Sequence, residues 1–355
     1  MKTFTFSTAK DFWFYVSSRM RKKSGILEVA RQAGVSSASV SRALSGHPAV
    51  SDNMKARVLA AAADLGFHPN QMAQGLRRGR STTVGLLVGD IEQGVYASLT
   101  KEIQAALETL GLDLLLYNLG HSHDRLKNIL ARSDSLQLHG IIIAASDTFS
   151  EDNLAVLSRK AAEQHFPILA IGLSLHEQGI PSIVYDDSEA VMRSVTHLIA
   201  TRGPGIAYLG RIGGSASGTK RFSGYKAALA AHGIQIDQRL VWDAAFRYRA
   251  GHDSVERALD MGLAFRAIQA GSDELALGAM AALNARGLRI PEDVAIVGIG
   301  NIESAAYSSP SLTTHGAAPE AIARLVAERL KEWQSNGIAG EVITLSRPFI
   351  RRASA

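Results

Sequence analysis

The stretch from Gly34 to Leu44, GVSSASVSRAL, combines residue types that suit the binding of a polyanion. It contains four serines, one arginine and almost no bulky side chain. Serine hydroxyls and the amides at a helix N-terminus bind phosphates, and an arginine can pair with a guanine edge in the major groove of DNA. Small outward side chains would allow a helix to approach that groove closely. The alternative is a three-helix bundle with no role on DNA, and the helix pattern alone leaves both open.

Two helices and a turn must position these residues. Apolar residues recur at helical spacing before the stretch, and Gly34 is placed to end that first helix because glycine accepts the left-handed conformation. Ser36 suits the N-cap of a second helix, since its hydroxyl can accept a hydrogen bond from a free amide. This is the helix-turn-helix arrangement. The residues predicted to face inward are Leu27, Ala30 and Ala33, with Ile26 and Val29 beside them, in the first helix, and Val40, Ala43 and Leu44 in the second.

A third helix is predicted to complete the bundle. Ser51 is a suitable N-cap, and Gly66 follows the last residue of the apolar pattern. The predicted inner stripe consists of Met54, Val58, Ala61 or Ala62, and Leu65.

Basic residues are concentrated at this end of the chain. Residues 1–80 contain 13 of the 38 lysines and arginines but only 4 of the 33 aspartates and glutamates. A basic segment joined to a slightly acidic remainder is expected of a module that binds nucleic acid or another anionic surface. A solvated basic tail would have the same composition, so charge alone does not decide between the two.

After residue 82, short apolar runs alternate with longer amphipathic ones. This alternation is typical of parallel sheets covered by helices, and so many strands indicate two lobes. In such folds, ligands bind at the carboxyl ends of the strands, between the lobes. The predicted strands are 83–89, 113–117, 140–144, 167–172, 205–210, 264–270 and 294–300, and the helices between them include 97–110, 189–202 and 275–286.

The N-terminal segment resembles the DNA-binding headpiece of the lactose-repressor (LacI/GalR) family. The matching features of the family are D/E-V-A-x-x-A-G-V-S, T/S-V-S-R-x-L, V-S, L-G-[FY]-x-P-N and A-x-x-L. In this chain they are EVARQAGVS from Glu28, SVSRAL from Ser39, VS from Val50, LGFHPN from Leu65 and AQGL from Ala73. So many spaced matches are far more specific than a lone helix-turn-helix.

The resemblance implies roles for the matching positions. Residues 71–78 match a hinge helix that orders on operator DNA in the minor groove, where an apolar wedge exchanges base stacking for a bend and more contact. The implied residues are Ser37, Ala38 and Arg42 for base reading, Ser36, Ser39, Ser41 and Asn70 for backbone phosphates, and Ala73 and Leu76 for the minor-groove hinge.

The rest of the chain resembles the effector-sensing core of the same family, which is similar to periplasmic sugar-binding proteins. Its markers include GLLV from Gly85, HGII from His139 and RFSGY from Arg221. The resemblance implies a two-lobed α/β core with parallel sheets and an effector bound between the lobes. The implied effector contacts are Tyr96, Arg221, Ser272 and Asp273, with Asp186 as a weaker candidate.

Gly300 departs from the family pattern. Many members have an aspartate there that accepts hydrogen bonds from sugar hydroxyls. Without that carboxylate to compete for Arg221, a neutral sugar becomes less certain and an anionic ligand or a sugar acid gains support. The alternative is that Arg221 makes only an internal ion pair.

Enzymatic and metal chemistry are not expected. The chain has no cysteine, which excludes thiolate metal sites and cysteine nucleophiles. The lone His-x-His at His121 lies in a polar loop, where such pairs are usually solvated. The glycine-rich run from Gly213 matches neither a phosphate loop nor a nucleophile elbow. A sugar-modifying enzyme would need acid–base pairs that cannot be placed, so we expect no catalytic residues, no cofactor and no metal.

The sequence therefore predicts a ligand-responsive transcription regulator, a repressor. It is expected to bind near-palindromic operator DNA as a homodimer and to respond to a sugar, sugar acid or similar metabolite. The rival is a solute-binding or sensor protein with a vestigial headpiece. Neither a membrane span of roughly 18 apolar residues nor a signal-peptide core is found, so a cytoplasmic location is expected.

Four segments are expected. Residues 1–24 would be a disordered extension or sequence upstream of the true start. Residues 25–70 would form the headpiece, residues 71–82 the hinge helix and linker, and residues 83–355 the effector-binding and dimerisation core.

Overall fold

The computed structural model describes residues 25–44, 50–67, 82–163, 166–336 and 340–355. The chain divides into two compact units, with the boundary between Ser81 and Thr82. The expected extension 1–24, the headpiece residue Asn70, and residues 71–81 of the hinge and linker, with Ala73 and Leu76, lie outside the described residues. Within the described ranges, no helix is both long enough and apolar enough to cross a membrane.

The first unit contains three short helices, α1 (Ile26–Ala33), α2 (Ser37–Leu44) and α3 (Asp52–Asp64). All three contact one another and share one small apolar core. Ser51 caps α3 by accepting a hydrogen bond from the amide of Met54, as its position predicts. The buried residues of this core are Val29, Ala30, Ala33, Val40, Ala43, Val58, Ala61 and Ala62.

Leu27 does not belong to that core, which corrects the predicted inner face of α1. Its side chain is 67% exposed. Each residue of a helix is rotated by about 100° from the previous one. The arc centred between Val29 and Ala33 therefore includes Ile26 and Ala30, but Leu27 lies about 140° from its centre. Leu27 and Ala30 do have helical spacing. However, Ala30 is at one edge of the buried face, and Leu27 lies beyond that edge.

The first lobe of the second unit is built on six parallel strands in the order β11-β5-β4-β3-β1-β2. Their residues are almost continuously apolar where helices cover both faces, as in β1, whose last five residues are all buried. The strands are β1 (Thr83–Val88), β2 (Asp113–Asn118), β3 (Leu138–Ala144), β4 (Ile168–Ile171), β5 (Ser182–Tyr185) and β11 (Val342–Leu345), and the helices are α4 (Gly94–Glu108), α5 (His123–Arg132), α6 (Glu151–Ala161) and α12 (Pro319–Asn336).

The second lobe has four parallel strands in the order β7-β6-β8-β9. Helices α7 and α8 pack together in one of its hydrophobic clusters, and α9 and α10 pack together in the other. The strands are β6 (Ile206–Gly210), β7 (Val241–Asp243), β8 (Ala267–Ala270) and β9 (Ala295–Val297), and the helices are α7 (Asp187–Arg202), α8 (Ala216–Ala231), α9 (Tyr248–Asp260), α10 (Asp273–Ala285) and the short α11 (Glu303–Tyr307).

The chain passes between the lobes three times. The crossings follow β5, precede α12 and follow β11. Two of them flank an antiparallel pair formed by β10 (Thr314–His315) and β12 (Phe349–Ile350). The three crossings bring residues from distant parts of the sequence together at the base of the cleft between the lobes.

The predicted two-lobed core with parallel sheets is confirmed, and all seven predicted strands are present. Five further strands were not predicted: β5, β7, β10, β11 and β12. Each has only two to four residues, which is too short for a hydrophobic period to be recognised. Two of these missed strands, β5 and β11, lead directly into crossings.

Candidate DNA-contacting helix and ligand cavity

Ser36 begins helix α2 in the manner that its position predicts. Its hydroxyl accepts a hydrogen bond from the backbone amide of Ser39 at 3.1 Å and lies 2.9 Å from the Ser39 hydroxyl. Gly34, just before it, has φ 63° and ψ 40°, the left-handed conformation that glycine adopts most readily. Gly34 and Ser36 together therefore fix the sharp turn between α1 and α2.

Helix α2 has one buried face and one open face. Val40 and Ala43 are 0% and 2% exposed in the core, whereas Ser37, Ala38 and Arg42 are exposed. The Nε atom of Arg42 donates to the carbonyl of Ala38 at 3.4 Å, one turn back along the helix. The open face is therefore small and carries one long cation, as a helix that enters a major groove requires.

The serines predicted to hold phosphates lie around this face. Ser36 is exposed, and Ser39 and Ser41 are half-buried. The structure thus brings together six of the nine residues predicted to contact DNA. Their contact with DNA remains a prediction, and the other three residues lie outside the described part of the chain.

A cavity of about 80 Å³ lies between the two lobes of the second unit. A single water needs roughly 10–15 Å³ of such space, so the cavity suits a small metabolite rather than a polymer. Its polar lining comes from the ends of strands and the starts of helices, as expected for this architecture. The polar lining includes Tyr96, Ser146, Arg221, Ser272, Glu274 and Arg347.

Arg221 lines the cavity and also makes an internal ion pair, so the two predicted possibilities are not exclusive. Its Nε atom donates to Oδ1 of Asp187 at 3.0 Å, and Nη1 donates to the carbonyl of Gly271 at 2.6 Å. Burial opposes the charge of Arg221, but Asp187 more than compensates, so the pKa of Arg221 is raised. Arg221 is therefore held in one orientation as a permanent cation.

Arg347 is a second cavity arginine that sequence reasoning missed. Its Nε atom donates to the same Oδ1 of Asp187 at 2.8 Å, and Nη1 donates to the carbonyl of Gly316 at 3.1 Å. Its guanidinium carbon lies 3.5 Å from the centroid of the Tyr185 ring. Burial would raise the pKa of Asp187, but Arg221 and Arg347 outweigh burial and lower it. One carboxylate thus joins two arginines, and Asp187 and Arg347 belong to two of the three crossings.

Asp186, the weaker candidate for effector binding, does not line the cavity. It is exposed, and its Oδ1 atom accepts the amide of Glu189 at 3.1 Å as the N-cap of α7. The neighbouring aspartate, Asp187, is the one that is buried. The two aspartates are adjacent in sequence, and nothing local distinguishes them. Only the arginines, which lie far away in sequence, decide which aspartate is the buried ion and which is the helix cap.

Asp273 is also outside the cavity lining, although the preceding residue, Ser272, lines it. Asp273 is 0% exposed and accepts hydrogen bonds from the Thr314 hydroxyl at 2.5 Å and the Ile302 amide at 2.9 Å. Burial raises the pKa of Asp273 to about 6, against the effect of these hydrogen bonds. Its observed contacts are therefore structural, whereas Ser272 caps α10 and remains available to a ligand.

Gly300 removes the carboxylate that many family members carry at that position, but Glu274 places another carboxylate in the cavity. It is 2% exposed, lines the cavity, and accepts the amide of Gly94 from the other lobe through Oε1 at 2.9 Å. Gly300 also lines the cavity, with φ 140°, and a Cβ atom there would lie 3.0 Å from Val95. The backbone therefore disfavours an aspartate at Gly300, while the adjacent helix N-terminus places Glu274 in the cleft.

Tyr96, predicted to contact the effector, lines the cavity. Burial, followed by the charge of Asp147, raises the pKa of Tyr96 well above its ordinary value, although a hydrogen bond with Ser146 opposes this. The tyrosine is therefore neutral, and its ring forms part of the wall beside Leu99 and Phe246.

Ion pairs join the two lobes at the mouth of the cleft. Arg211 of the second lobe contacts Asp147 of the first at 2.8 Å, and Arg247 of the second lobe contacts both Asp90 and Glu92 of the first. We call these five residues the interlobe latch. His121, predicted to be solvated, is 40% exposed and also lies 2.8 Å from Asp147 and 3.7 Å from Asp90.

Comparison with known proteins identifies both units. Residues 25–70 match the family described as "Bacterial regulatory proteins, lacI family", and residues 81–352 match "Periplasmic binding proteins and sugar binding domain of LacI family". The chain belongs to the LacI family. It is thus a transcriptional regulator with a DNA-binding domain and an effector-binding domain, and members of this family are not enzymes.

Two relatives illustrate the extent of the similarity. The transcriptional regulator AscG of Escherichia coli K12 is 31% identical over 336 residues, which cover 93% of this chain and 97% of that protein. Catabolite control protein A of Priestia megaterium is 30% identical, over 81% of this chain and 86% of that protein. The resemblance to LacI/GalR regulators seen in the sequence motifs thus extends along almost the whole chain.

Solved structures of LacI-family proteins show the same fold. The lac repressor dimer bound to operator and the anti-inducer ONPF has a TM-score of 0.82 and 25% identity, over 94% of this chain and 99% of that one. The Escherichia coli repressor AscG has a TM-score of 0.67 and 26% identity, over 78% and 99%. The predicted headpiece and two-lobed core are both confirmed at the level of fold.

Proposed function

We propose that this LacI-family regulator is a repressor whose affinity for operator DNA is controlled by a small metabolite bound between the lobes of its core. The observation that carries the proposal is the cavity in which Arg221, Glu274 and Arg347 are buried between two lobes. Charged side chains buried in a cavity are costly unless they serve a ligand or one another, and such sites mark functional pockets.

The proposed DNA contacts are the residues that the sequence motifs predict. Ser37, Ala38 and Arg42 would read bases, and Ser36, Ser39, Ser41 and Asn70 would hold phosphates. Ala73 and Leu76 would enter the minor groove. The exposed, small-sided face of α2 supports the roles of all of these residues except Asn70, Ala73 and Leu76, which lie outside the described part of the chain.

Tyr96, Arg221 and Ser272 remain the proposed effector contacts, because all three line the cavity. Glu274 and Arg347 join them for the same reason. Asp186, which caps a helix elsewhere, and Asp273, which is bound by Thr314, are not among the proposed contacts.

The domain division is proposed as 1–24 extension, 25–70 headpiece, 71–82 hinge helix and linker, and 83–355 core. Effector binding would change the orientation of the two lobes of the core, and the hinge would transmit this change to the headpiece. Because coupling between two sites is reciprocal, operator DNA would change the affinity for the effector by the same factor.

A homodimer is the proposed assembly, as in the lac repressor dimer that shares the fold. A two-fold dimer presents two headpieces to the halves of a near-palindrome. Sedimentation of the full chain should give the mass of a dimer, and a tetramer mass would contradict this. A regulator that acts on DNA would work in the cytoplasm, at the nucleoid.

Selection of bound duplexes from a random DNA pool, at physiological salt and without metabolite, tests the proposed function. Nonspecific phosphate binding is weakened by salt, so an enriched near-palindrome is expected. If only sequence-independent binding appears, the selection is repeated with a metabolite extract of the source cells. Failure of both selections would favour the alternative, a ligand-binding sensor with an unused headpiece.

A further inference from the structure

The basic end of the cavity carries more positive than negative charge. Arg221, Arg347 and Asp187 are 8%, 4% and 2% exposed, and the single carboxylate accepts from both guanidinium groups. Two cations and one anion leave one unbalanced positive charge. An unbalanced charge this deeply buried is unfavourable, and a ligand that carries one negative charge would remove the imbalance.

Both arginines retain donors for such a ligand. In each, Nε is used by Asp187 and Nη1 by a backbone carbonyl, that of Gly271 or Gly316. Nη2 of Arg221 and Nη2 of Arg347 have no acceptor among the described residues. Both side chains line the cavity. Two fixed donors on two guanidinium groups suit the two oxygens of a carboxylate.

The other charged group in the cavity, the carboxylate of Glu274, needs hydrogen-bond donors from a ligand rather than a negative charge. Glu274 accepts one hydrogen bond through Oε1, from Gly94, and no described cation lies within 4 Å of its carboxylate. Glu274 stands in the first turn of α10, where the helix dipole stabilises a negative charge without a counter-ion. Its free oxygen, Oε2, is therefore suited to accept hydrogen bonds from neutral donors such as hydroxyls. Ser146 and Ser272 add further neutral polar groups to the lining.

We infer that the cavity binds a polyhydroxy acid of monosaccharide size, with its carboxylate held between Arg221 and Arg347 and its hydroxyls donating to Glu274. The inference rests on the proposed function and names the class of effector. The walls formed by Tyr96 and Phe246 would contact the carbon skeleton. A phosphate ester is less suitable, because its second negative charge would exceed the single positive charge that is available.

Arg347 is the residue that distinguishes this ligand from a neutral sugar. Calorimetry on the full-length protein without DNA would compare matched sets of ligands: glucose with gluconate and glucuronate, and galactose and mannose with their corresponding acids. Glucose 6-phosphate, glucosamine and L-serine complete the panel. We expect at least one acid to bind about 10- to 100-fold more tightly than its neutral parent, the factor typical of a hydrogen bond to a charged group.

Arg347→Gln should remove most of that factor, and it should weaken binding of the neutral parent by a smaller factor of about 2- to 10-fold, the loss typical of a hydrogen bond between neutral groups. Arg347→Lys retains the charge and should retain part of the preference, which also covers the case in which the glutamine variant does not fold. Arg351→Gln is the matched control, because it removes the same charge from an exposed position four residues away. Glu274→Gln should weaken binding of acid and parent by the same factor, because both present hydroxyls.

The inference is overturned if a neutral sugar binds as tightly as its acid, if only the phosphate ester or an amine-bearing ligand binds, or if no acid binds at all. An unchanged acid preference in Arg347→Gln would remove Arg347 from the site. An enriched operator without acid binding would reject the inference and leave the proposed function intact. Acid binding without any enriched DNA would reject the proposed function alone.

Discussion

The two functional regions of this LacI-family regulator hold their polar side chains in opposite ways. On α2, Ser37 and Arg42 are exposed, and the hydrogen bonds that shape the helix connect residues three or four positions apart. In the cavity, Arg221 and Arg347 are buried, and their common partner Asp187 is 34 and 160 residues away in sequence.

This difference follows from what each region must bind. A helix that reads DNA meets a ligand larger than itself, so its side chains must project into solvent and adapt to the groove. A cavity must fix its polar groups before a small ligand arrives, since preorganised donors lose less entropy on binding. We therefore expect substitutions on α2 to affect recognition with little effect on folding, and substitutions in the cavity to affect both.

The largest expected effect is at Asp187. Asp187→Ala leaves two buried guanidinium groups without a carboxylate and should lower the free energy of unfolding by about 3–5 kcal/mol. Asp186→Ala is the matched control on the same helix and should lose only the cap, about 0.5–2 kcal/mol. Urea unfolding followed by circular dichroism measures both. Equal losses would mean that the buried network is no more important to stability than an exposed cap.

A second test concerns the pH dependence of stability at Asp273. Burial raises its folded-state pKa to about 6 from 3.8, so the folded protein keeps a proton that the unfolded chain has lost. The unfolding free energy of the wild type should therefore fall relative to that of Asp273→Asn as pH rises from about 4 to 6, by roughly 3 kcal/mol at most.

Burial also lowers the pKa of His315 to about 4, which has the opposite pH dependence in the same range. Because His315 is present in both proteins, its contribution cancels in the difference between wild type and Asp273→Asn. Urea unfolding at half-unit pH steps gives this difference. A flat difference curve would show that Asp273 titrates normally.

On α2 the expected loss is in specificity. Arg42→Ala should lose about 1–3 kcal/mol of discrimination between the selected operator and a single-base variant. Its melting temperature should be unchanged, since the side chain is exposed. Lys55→Ala, an exposed cation on α3, is the control and should leave discrimination intact. Fluorescence anisotropy with both duplexes measures this, and unchanged discrimination in Arg42→Ala would remove Arg42 from base reading.

The smallest expected effect is at the interlobe latch. Arg247→Gln removes two ion pairs across the cleft mouth, and partly exposed pairs contribute about 0.2–1 kcal/mol each. The chain has no native cysteine, so spin labels at Lys101→Cys and Arg249→Cys would report on one lobe each. We expect a longer and broader interlobe distance in Arg247→Gln, and no change in the control Arg239→Gln, whose ion pair with Asp237 lies within one lobe. Identical distributions would show that the latch does not hold the lobes together.

Local patterns predicted most of the headpiece and only part of the cavity. Ser36, Gly34 and the inward face of α2 were placed correctly because the partners of a capping residue lie within one turn of it. Leu27 was misplaced because an eight-residue helix has too few residues to define the edge of its face. Arg347 could have been suspected only from its position just after a short strand, and β11 itself was too short to recognise.

The sequence alone determined the two-part organisation, the helix-turn-helix, the parallel strands and the family, because each depends on residues close together in the chain or on motifs of fixed spacing. The tertiary structure decided which of two adjacent aspartates is buried and that Arg347 joins Arg221 on Asp187. It also placed Glu274, rather than a residue at Gly300, as the acceptor in the cavity. These outcomes depend on where three separate crossings meet, and no local pattern encodes the meeting of residues 160 positions apart.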